Sequence, residues 1–238
     1  GDELFAGYQR YQAIRLGHWI DQLGPFKQIL GATWWQKLPS SSRQKGLLRR
    51  WKRFVSAVAK KPMERYLDWI AIFNEERRCL LYRPEFVERL EDSDPIAFLS
   101  SGWAKAGERD PVACASLADL QTYLPCDLMT KTDIASMANS LECRQPFLDY
   151  RLVEYAIGLP TKFKLRGRAG KRILKDTFGE LLPAEIWNRR KMGFGVPLDH
   201  WFRGELRELA WDTLASDGTK IHQWFHSDAI RQLLQTHT

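Results

Sequence analysis

Apolar residues recur at helical spacing along most of the chain. The apolar stripe at residues 47–58 predicts one amphipathic helix. Pro62 fits the first turn of a second helix, which we expect to end near Tyr82. The pattern is helical again over residues 111–137, and Pro125 predicts a break within it. These segments predict a chain built mainly of helices.

The alternating pattern of a β-strand is scarce. A further helix is predicted from the spacing of apolar residues over 148–157, with Asp149 well placed as its N-cap, and it should stop before Pro160. The best strand candidate is the four-residue stretch 162–165, in which Lys and apolar residues alternate. We therefore expect little or no sheet in this chain.

Composition is that of an ordinary globular protein, with 238 residues of which 44% are hydrophobic and 27% charged. Such a length can form one large domain or two small ones and needs no disulfide or metal for stability. We interpret residues 1–238 as a single helical domain or fragment. A motif-poor helical layer is expected at about 20–110, and an active-site layer at about 120–205.

The formal net charge of +7 allows an anionic partner but is modest for a dedicated nucleic-acid binder. Four scattered cysteines without a C-x-x-C pair favour free thiols in a reducing compartment, so we expect a cytoplasmic protein. No apolar run approaches the roughly 20 residues that span a bilayer, and we expect no membrane partner. The missing initiator Met and signal peptide predict a processed chain or a piece of a longer protein.

The first stretch with candidate chemistry is GDELFAGY at 1–8. Two acids before an apolar helix are typical of a helix N-terminus, where carboxylates oppose the dipole. The alternative is that Asp2 holds Mg²⁺ beside phosphates, because Mg²⁺ takes a few carboxylate oxygens together with substrate oxygens.

Two further stretches follow at 127–138 and 140–149. In the first, Asp127 and Lys131 fit a solvated ion pair on a helix. In the second, Glu142 and Arg144 would point to one side of an extended segment and could meet one polar ligand. The alternative is a buried Glu–Arg pair that ties a loop to a helix.

The fourth stretch, residues 162–197, begins with a basic run that carries no acid from 162 to 175. Lys171 in this run is a candidate phosphate ligand, since a lysine on a glycine-containing loop acts as a point charge on phosphoryl oxygens. The second part holds Lys191 between two arginines and two glycines, Gly193 and Gly195. A solvated basic face is the alternative interpretation.

Taken together, these stretches resemble the synthetase domain of glutamine-dependent asparagine synthetases. The matching segments are GDELFAGY at 1–8, LMTKTD at 128–133, SMA at 136–138, SLECRQPFLD at 140–149, LPAEI at 182–186 and RKMGFGVP at 190–197, followed by Trp201. Their order along the chain makes the resemblance specific, although residues 20–110 match no motif.

The resemblance implies a reaction in which aspartate's side-chain carboxylate attacks the α-phosphorus of ATP to give β-aspartyl-AMP and pyrophosphate. Ammonia released from glutamine in a separate N-terminal domain then displaces AMP. By position, Asp2 corresponds to the acid that helps hold Mg²⁺ and pyrophosphate, and Lys191 to a catalytic lysine that neutralises the leaving pyrophosphate.

The acceptor pocket is implied in the same way. Glu142 corresponds to a catalytic acid there, and Arg144 and Asp149 are expected to bind substrate beside it. Gly193 and Gly195 would let the Lys191 loop close over the substrate.

Some of the family's motifs are missing from this sequence. The S-G-G-x-D-S phosphate loop and the N-terminal cysteine of the glutaminase domain are absent. The resemblance therefore implies the helical C-terminal portion of an α/β adenine-nucleotide-hydrolase-like (PP-loop) synthetase domain, with the parallel sheet missing from this chain. We expect ATP and Mg²⁺ in the intact parent and no tightly bound cofactor on this chain, which alone should be incompetent.

The expected partners are the missing glutaminase and nucleotide-binding segments, with aspartate, ATP and glutamine as substrates. A homo-oligomer stays open. Two other functions also stay open. A helical nucleic-acid-binding module would use the basic runs, with Trp51 between Arg50 and Lys52 as its best support. A non-catalytic scaffold derived from a synthetase is the third hypothesis.

Overall fold

A computed structural model describes residues 1–24, 54–55, 57–90, 93–188 and 196–237. Helices dominate these residues, and β pairing among them is confined to isolated bridges. The prediction of a mainly α chain is therefore confirmed. None of the described helices combines the length and the apolar character that a bilayer crossing needs.

The chain forms two compact units, each made of two segments. The first unit comprises Gly1–Ile70 and Pro95–Trp187, and the second comprises Ala71–Asp94 and Asn188–Thr238. The division into layers at about 20–110 and 120–205 stays a prediction.

The first unit contains most of the helices. Its described α-helices are Gln9–Asp21, Pro62–Ile70, Pro95–Ala104, Pro111–Gln121, Thr130–Met137, Tyr150–Gly158, Thr161–Lys164, Arg172–Phe178 and Ala184–Asn188. A π-helix spans Leu124–Met129, and 3-10 turns span Pro146–Leu148 and Gly179–Leu181.

The core of the first unit lies between its first four helices. Tyr11, Tyr66, Leu99 and Ala115 are at most 2% exposed and belong to one apolar cluster. Gly102 lets two of these helices approach closely, because an added Cβ would lie 2.8 Å from the Cα of Ala118. Burial of these side chains from water stabilises the unit that carries the motif stretches up to residue 186.

The second unit contains the helices Glu75–Leu81, Pro84–Glu88, Leu198–Arg203, Arg207–Ala215 and Ser227–His237, with a 3-10 turn at Lys220–Gln223. Its aromatic cluster joins Tyr82, Phe86, Trp224 and Phe225, with ring centroids 5.1 to 5.5 Å apart. Arg89 lies over the Trp224 ring at 4.8 Å. Aromatic packing thus connects the two segments of this unit.

The helix that begins at Pro62 is shorter than the sequence predicts. It ends at Ile70, and a new helix begins at Glu75, where the side chain of Asn74 accepts from the N–H of Arg77 at 3.1 Å. This N-cap satisfies a backbone donor of the first helical turn and favours the beginning of a new helix at Glu75. Ile72 is 82% exposed, so the apolar spacing after residue 70 does not mark a buried face.

The predicted break in the α-helical segment near Pro125 is confirmed. The α-helix Pro111–Gln121 ends four residues before Pro125, and Thr122 has non-helical angles of φ −122° and ψ −75°. Pro125 lies in the first turn of the π-helix Leu124–Met129, where its missing N–H removes no required bond.

The strand candidate at 162–165 does not form a strand, in line with the expectation of little or no sheet. Pro160 is followed by the helical turn Thr161–Lys164, and Lys164 and Leu165 are both buried, which a period of two does not produce.

Candidate functional site

The GDELFAGY stretch forms a compact turn ahead of a helix. Leu4 and Phe5 are 1% and 2% exposed, and Ala6 adopts a left-handed φ of +53°. The helix begins only at Gln9, with Tyr8 at its N-cap position. The interpretation of the two acids as first-turn residues of a helix is therefore wrong.

Asp2 at the start of this turn pairs with Lys171 from the basic run. The Lys171 ammonium lies 2.7 Å from Oδ1 of Asp2. The backbone N–H of Lys171 donates to the carbonyl oxygen of Phe5 at 2.8 Å, and Lys171 has a left-handed φ of +56°. The structure thus brings together the predicted metal ligand and one predicted phosphate ligand.

Two glycines leave room for this pair. An added Cβ at Gly7 would lie 1.9 Å from Oδ1 of Asp2 and 2.7 Å from Cε of Lys171. An added Cβ at Gly170 would lie 2.2 Å from the carbonyl oxygen of Ala6. A side chain at position 170 would push against backbone, so the approach of the two stretches depends on that glycine.

The third stretch reaches the same place through Phe147. Its ring meets the Phe5 ring edge-on, with centroids 5.9 Å apart. The helix that follows is capped by Asp149, whose side chain accepts from the N–H of Arg151 at 3.0 Å, as the sequence predicts. Three motif stretches, at 1–8, 140–149 and 162–175, therefore meet around Phe5.

Asp149 also forms an ion pair with Arg151 at 2.7 Å. The hydrogen bond from the Arg151 side chain lowers the pKa of the Asp149 carboxyl below its ordinary value. An ionised carboxylate is the form that caps a helix best. The cap accounts for this residue structurally, and its predicted role in binding substrate stays a prediction.

Glu142 and Arg144 form a pair on an extended segment. Their side chains meet at 2.9 Å and are 69% and 84% exposed. The alternative of a buried pair is therefore wrong, and the prediction that the two side chains point to one side is consistent with their contact. A shallow cavity of about 360 Å³ lies beside the segment and is lined by the alternate residues Cys143 and Gln145.

The ion pair predicted on the second stretch is present. Nζ of Lys131 lies 3.7 Å from Oδ1 of Asp127, and both side chains are more than half exposed. Such a solvated pair contributes little to stability.

Several predicted residues lie outside the described residues. These are the catalytic and phosphate-binding Lys191, the loop glycines Gly193 and Gly195, and the tryptophan at position 51 with its basic neighbours. Their predicted roles stay predictions.

A buried polar network holds the Asp2 turn against the core, and the sequence analysis missed it. Glu3, which is 2% exposed, accepts from the Tyr8 hydroxyl at 2.5 Å. The guanidinium of Arg10 lies between the rings of Tyr8 and Tyr123, at 4.1 and 4.6 Å from their centroids. Burial, together with the bond to Glu3, raises the pKa of Tyr8, which keeps its hydroxyl a neutral donor.

Asp119 is the far end of this network and is fully buried. It accepts from Arg10 at 2.8 Å, from the Tyr11 hydroxyl at 2.5 Å and from the Tyr66 hydroxyl. Burial raises the pKa of the Asp119 carboxyl, and Arg10 partly offsets that shift. The signal available in the sequence was a single acid in the otherwise uncharged helix Pro111–Gln121.

The donor set around Asp2 fits a magnesium ion held with phosphates. Mg²⁺ is usually bound through one or two carboxylates, and substrate phosphates complete its shell. Asp2 offers one such carboxylate, and the absence of a side chain at Gly7 gives that carboxylate and Lys171 the room they occupy. Among the residues that the structure describes, no group of three His, Cys, Asp or Glu side chains forms a separate metal centre.

Comparison with known proteins gives a consistent result. The family model of asparagine synthase matches residues 1–238. A putative glutamine-hydrolyzing asparagine synthetase of Mycobacterium tuberculosis is 34% identical over 220 residues, which cover 90% of this chain and 31% of that protein. The glutamine-hydrolyzing asparagine synthetase 1 of Bacillus subtilis is 30% identical over 246 aligned residues, which cover 99% of this chain and 35% of that protein.

The chain thus spans about a third of the length of the curated relatives that it matches. No solved structure gives a significant match to it. The match over the whole length, and the meeting of the motif stretches around Phe5, lead to one conclusion: the chain belongs to the asparagine synthase family.

Proposed function

We propose that the chain is the C-terminal part of a synthetase domain that amidates aspartate at the expense of ATP. The proposed route runs through β-aspartyl-AMP, with ammonia supplied from glutamine by another part of the parent protein. Family membership supports the proposal, and so do the names of its relatives. The observation that carries it is the Asp2–Lys171 pair beside Gly7.

The chemical demand of this reaction is to hold a triphosphate against a second anion, the aspartate carboxylate. Lys171 supplies a point charge for phosphoryl oxygens, and its amine has only to turn from Asp2 toward them. The Asp2 carboxylate would then face the metal. When bound, Mg²⁺ would neutralise phosphate charge as pyrophosphate leaves.

The remaining roles rest on the family resemblance. Glu142 and Arg144 would face the acceptor, and both side chains are exposed, so they are accessible to it. Lys191 would act on the leaving pyrophosphate, and Gly193 and Gly195 would allow its loop to close.

The proposed partners are the glutaminase and nucleotide-binding segments of the parent protein. We expect the isolated chain to lack synthetase activity because the backbone donors that cradle phosphates belong to those segments. We expect the parent protein to work in the cytoplasm.

The test uses the intact parent protein with aspartate, ATP, Mg²⁺ and glutamine. Asparagine, AMP and pyrophosphate should form in equal amounts, and only when aspartate is present. Asp2→Asn should reduce synthesis by about 10²–10³ because a preorganised charge is lost at the phosphate site. The matched control is Asp212→Asn, which changes an exposed aspartate in the second unit and should leave the rate unchanged.

Formation of ADP and phosphate would contradict the proposal, and so would equal losses in the two variants. A folded parent protein that makes no product from any of these substrates would instead favour the scaffold hypothesis.

A further inference from the structure

A larger cavity lies elsewhere in the first unit and has no role in the proposed synthesis. Its volume is about 510 Å³, within the range of small-molecule sites. It is lined by the helix Gln9–Asp21, by the turn at Asp110–Val112 and by the basic segment 160–167, together with Arg172. None of the Asp2, Gly7, Glu142 or Lys171 side chains lines it.

The lining is rich in side chains that carry positive charge. These are Arg15, Lys162, Arg166 and Arg172. Arg172 forms an ion pair with Asp176, with an N–O distance of 3.1 Å. Asp110 is the one carboxylate among the described residues that line the cavity.

The oxygens of Asp110 are already engaged. Oδ1 accepts from the N–H groups of Val112 and Ala113 at 3.0 and 3.3 Å, which makes it the cap of the following helix. Oδ2 accepts from the Thr161 hydroxyl at 2.6 Å. These bonds leave the negative charge of Asp110 in place, but the four Arg and Lys side chains of the lining outnumber it, so the cavity has an excess of positive charge.

The basic segment is held over the cavity by specific bonds. Arg15 donates to the carbonyl oxygen of Leu165 at 3.2 Å and to that of Gly167. Backbone bonds of 3.0 and 2.9 Å close a tight turn between Arg166 and Ala169. The backbone of the segment is therefore organised before any ligand arrives, which lowers the entropic cost of binding.

The floor of the cavity is apolar. Pro111, Val112, Pro160 and Leu165 line it, and Val112 and Leu165 are only 2% and 1% exposed. A bare inorganic anion would leave this floor unused. An anion with a flat apolar body would satisfy both the charged rim and the floor.

We propose that this cavity binds a small organic phosphate, either an aryl phosphate or a nucleoside monophosphate. The phosphate would lie against Lys162 and Arg166, and the ring would lie on Pro111 and Leu165. The proposed ligand site contains no residue of the proposed synthetase site, so binding there does not depend on synthetase activity.

The test is calorimetric titration of the full-length protein that carries this chain with phenyl phosphate. Inorganic phosphate and benzyl alcohol serve as probes of the anion alone and of the ring alone. Phenyl phosphate should bind at one saturable site, at least about tenfold more tightly than either half-probe, since charge-assisted bonds and apolar burial add.

Variants locate the site. Arg166→Gln and Lys162→Gln should each weaken phenyl phosphate binding about tenfold. The matched control is Arg168→Gln, because Arg168 lies in the same turn and the same basic run but does not line the cavity. Its affinity should equal that of the unchanged protein.

Four results would overturn the proposal. The first is the absence of saturable phenyl phosphate binding, and the second is a loss of affinity in the Arg168 variant equal to that in the Arg166 and Lys162 variants. The third is inorganic phosphate binding as tight as phenyl phosphate binding. The fourth is a phenyl phosphate binding signal that AMP displaces and that Arg166→Gln leaves unchanged. The last result would assign the binding to a nucleotide site elsewhere in the protein.

Discussion

Lys164→Met is expected to stabilise the protein at neutral pH. Lys164 closes the helical turn after Pro160 and is only 4% exposed. Burial lowers the pKa of its ammonium from 10.5 to about 8, with partial compensation from the Asp110 carboxylate and a small further lowering from Arg109. The folded state therefore disfavours the charged form that dominates at pH 7.

The size of the effect follows from the two pKa values. A shift from 10.5 to about 8 corresponds to about 3 kcal/mol of unfolding free energy at pH 7. Between those two pKa values the unfolded chain binds more protons than the folded one, so stability rises with pH. The penalty is fully present below about pH 8 and falls by roughly half by about pH 9.5.

Urea unfolding of the unchanged protein and of Lys164→Met, at pH 7 and at about pH 9.5, measures the difference in unfolding free energy. Lys164→Met should be more stable at pH 7 by up to about 3 kcal/mol, and its advantage should shrink at the higher pH. Lys162→Met, an exposed change in the same turn, should shift stability by less than about 1 kcal/mol at either pH. A loss of stability at pH 7, or an advantage that does not change with pH, would refute the reasoning.

Three other changes test the packing and the chemistry. Asp119→Ala should lower the unfolding free energy by about 3–5 kcal/mol because it removes the partner of the half-buried Arg10 and the acceptor of two buried tyrosine hydroxyls. A loss below about 1 kcal/mol in urea unfolding would be inconsistent with the network. Gly170→Ala places a Cβ 2.2 Å from the carbonyl oxygen of Ala6, so it should lower both the stability of the protein and the rate of synthesis by the parent. Gly158→Ala is the control, because its Cβ meets nothing within 4 Å, and it should lower neither. Lys191→Ala should reduce synthesis by the parent by about 10²–10³ and leave glutamine hydrolysis intact; equal losses in both half-reactions would withdraw its catalytic role.

Local signals in the sequence predict much of the fold. Pro62 begins a helix and Asp149 caps another, because both effects depend only on residues within one turn. The helix break after Ile70 is also local, but Asn74 competes with an apolar spacing that continues past it. A four-residue alternation at 162–165 carried too little information to separate a strand from a helical turn.

The site was harder to predict because its contacts are long-range. Asp2 and Lys171 were each singled out, but nothing in either stretch shows that they pair. The exposure of Glu142 and Arg144 likewise depends on how their segment packs. Asp119 could have been found from its place in an uncharged helix, whereas its tyrosine partners could not.

The central claim is that the parent protein activates aspartate by adenylation, and one isotope measurement tests it most directly. Aspartate labelled with ¹⁸O in its side-chain carboxylate is incubated with the parent protein, ATP, Mg²⁺ and glutamine. The carboxylate oxygen attacks the α-phosphorus, and ammonia later breaks the C–O bond, so one ¹⁸O atom should appear in the phosphate of AMP. AMP without label, or ADP as the nucleotide product, would contradict the account.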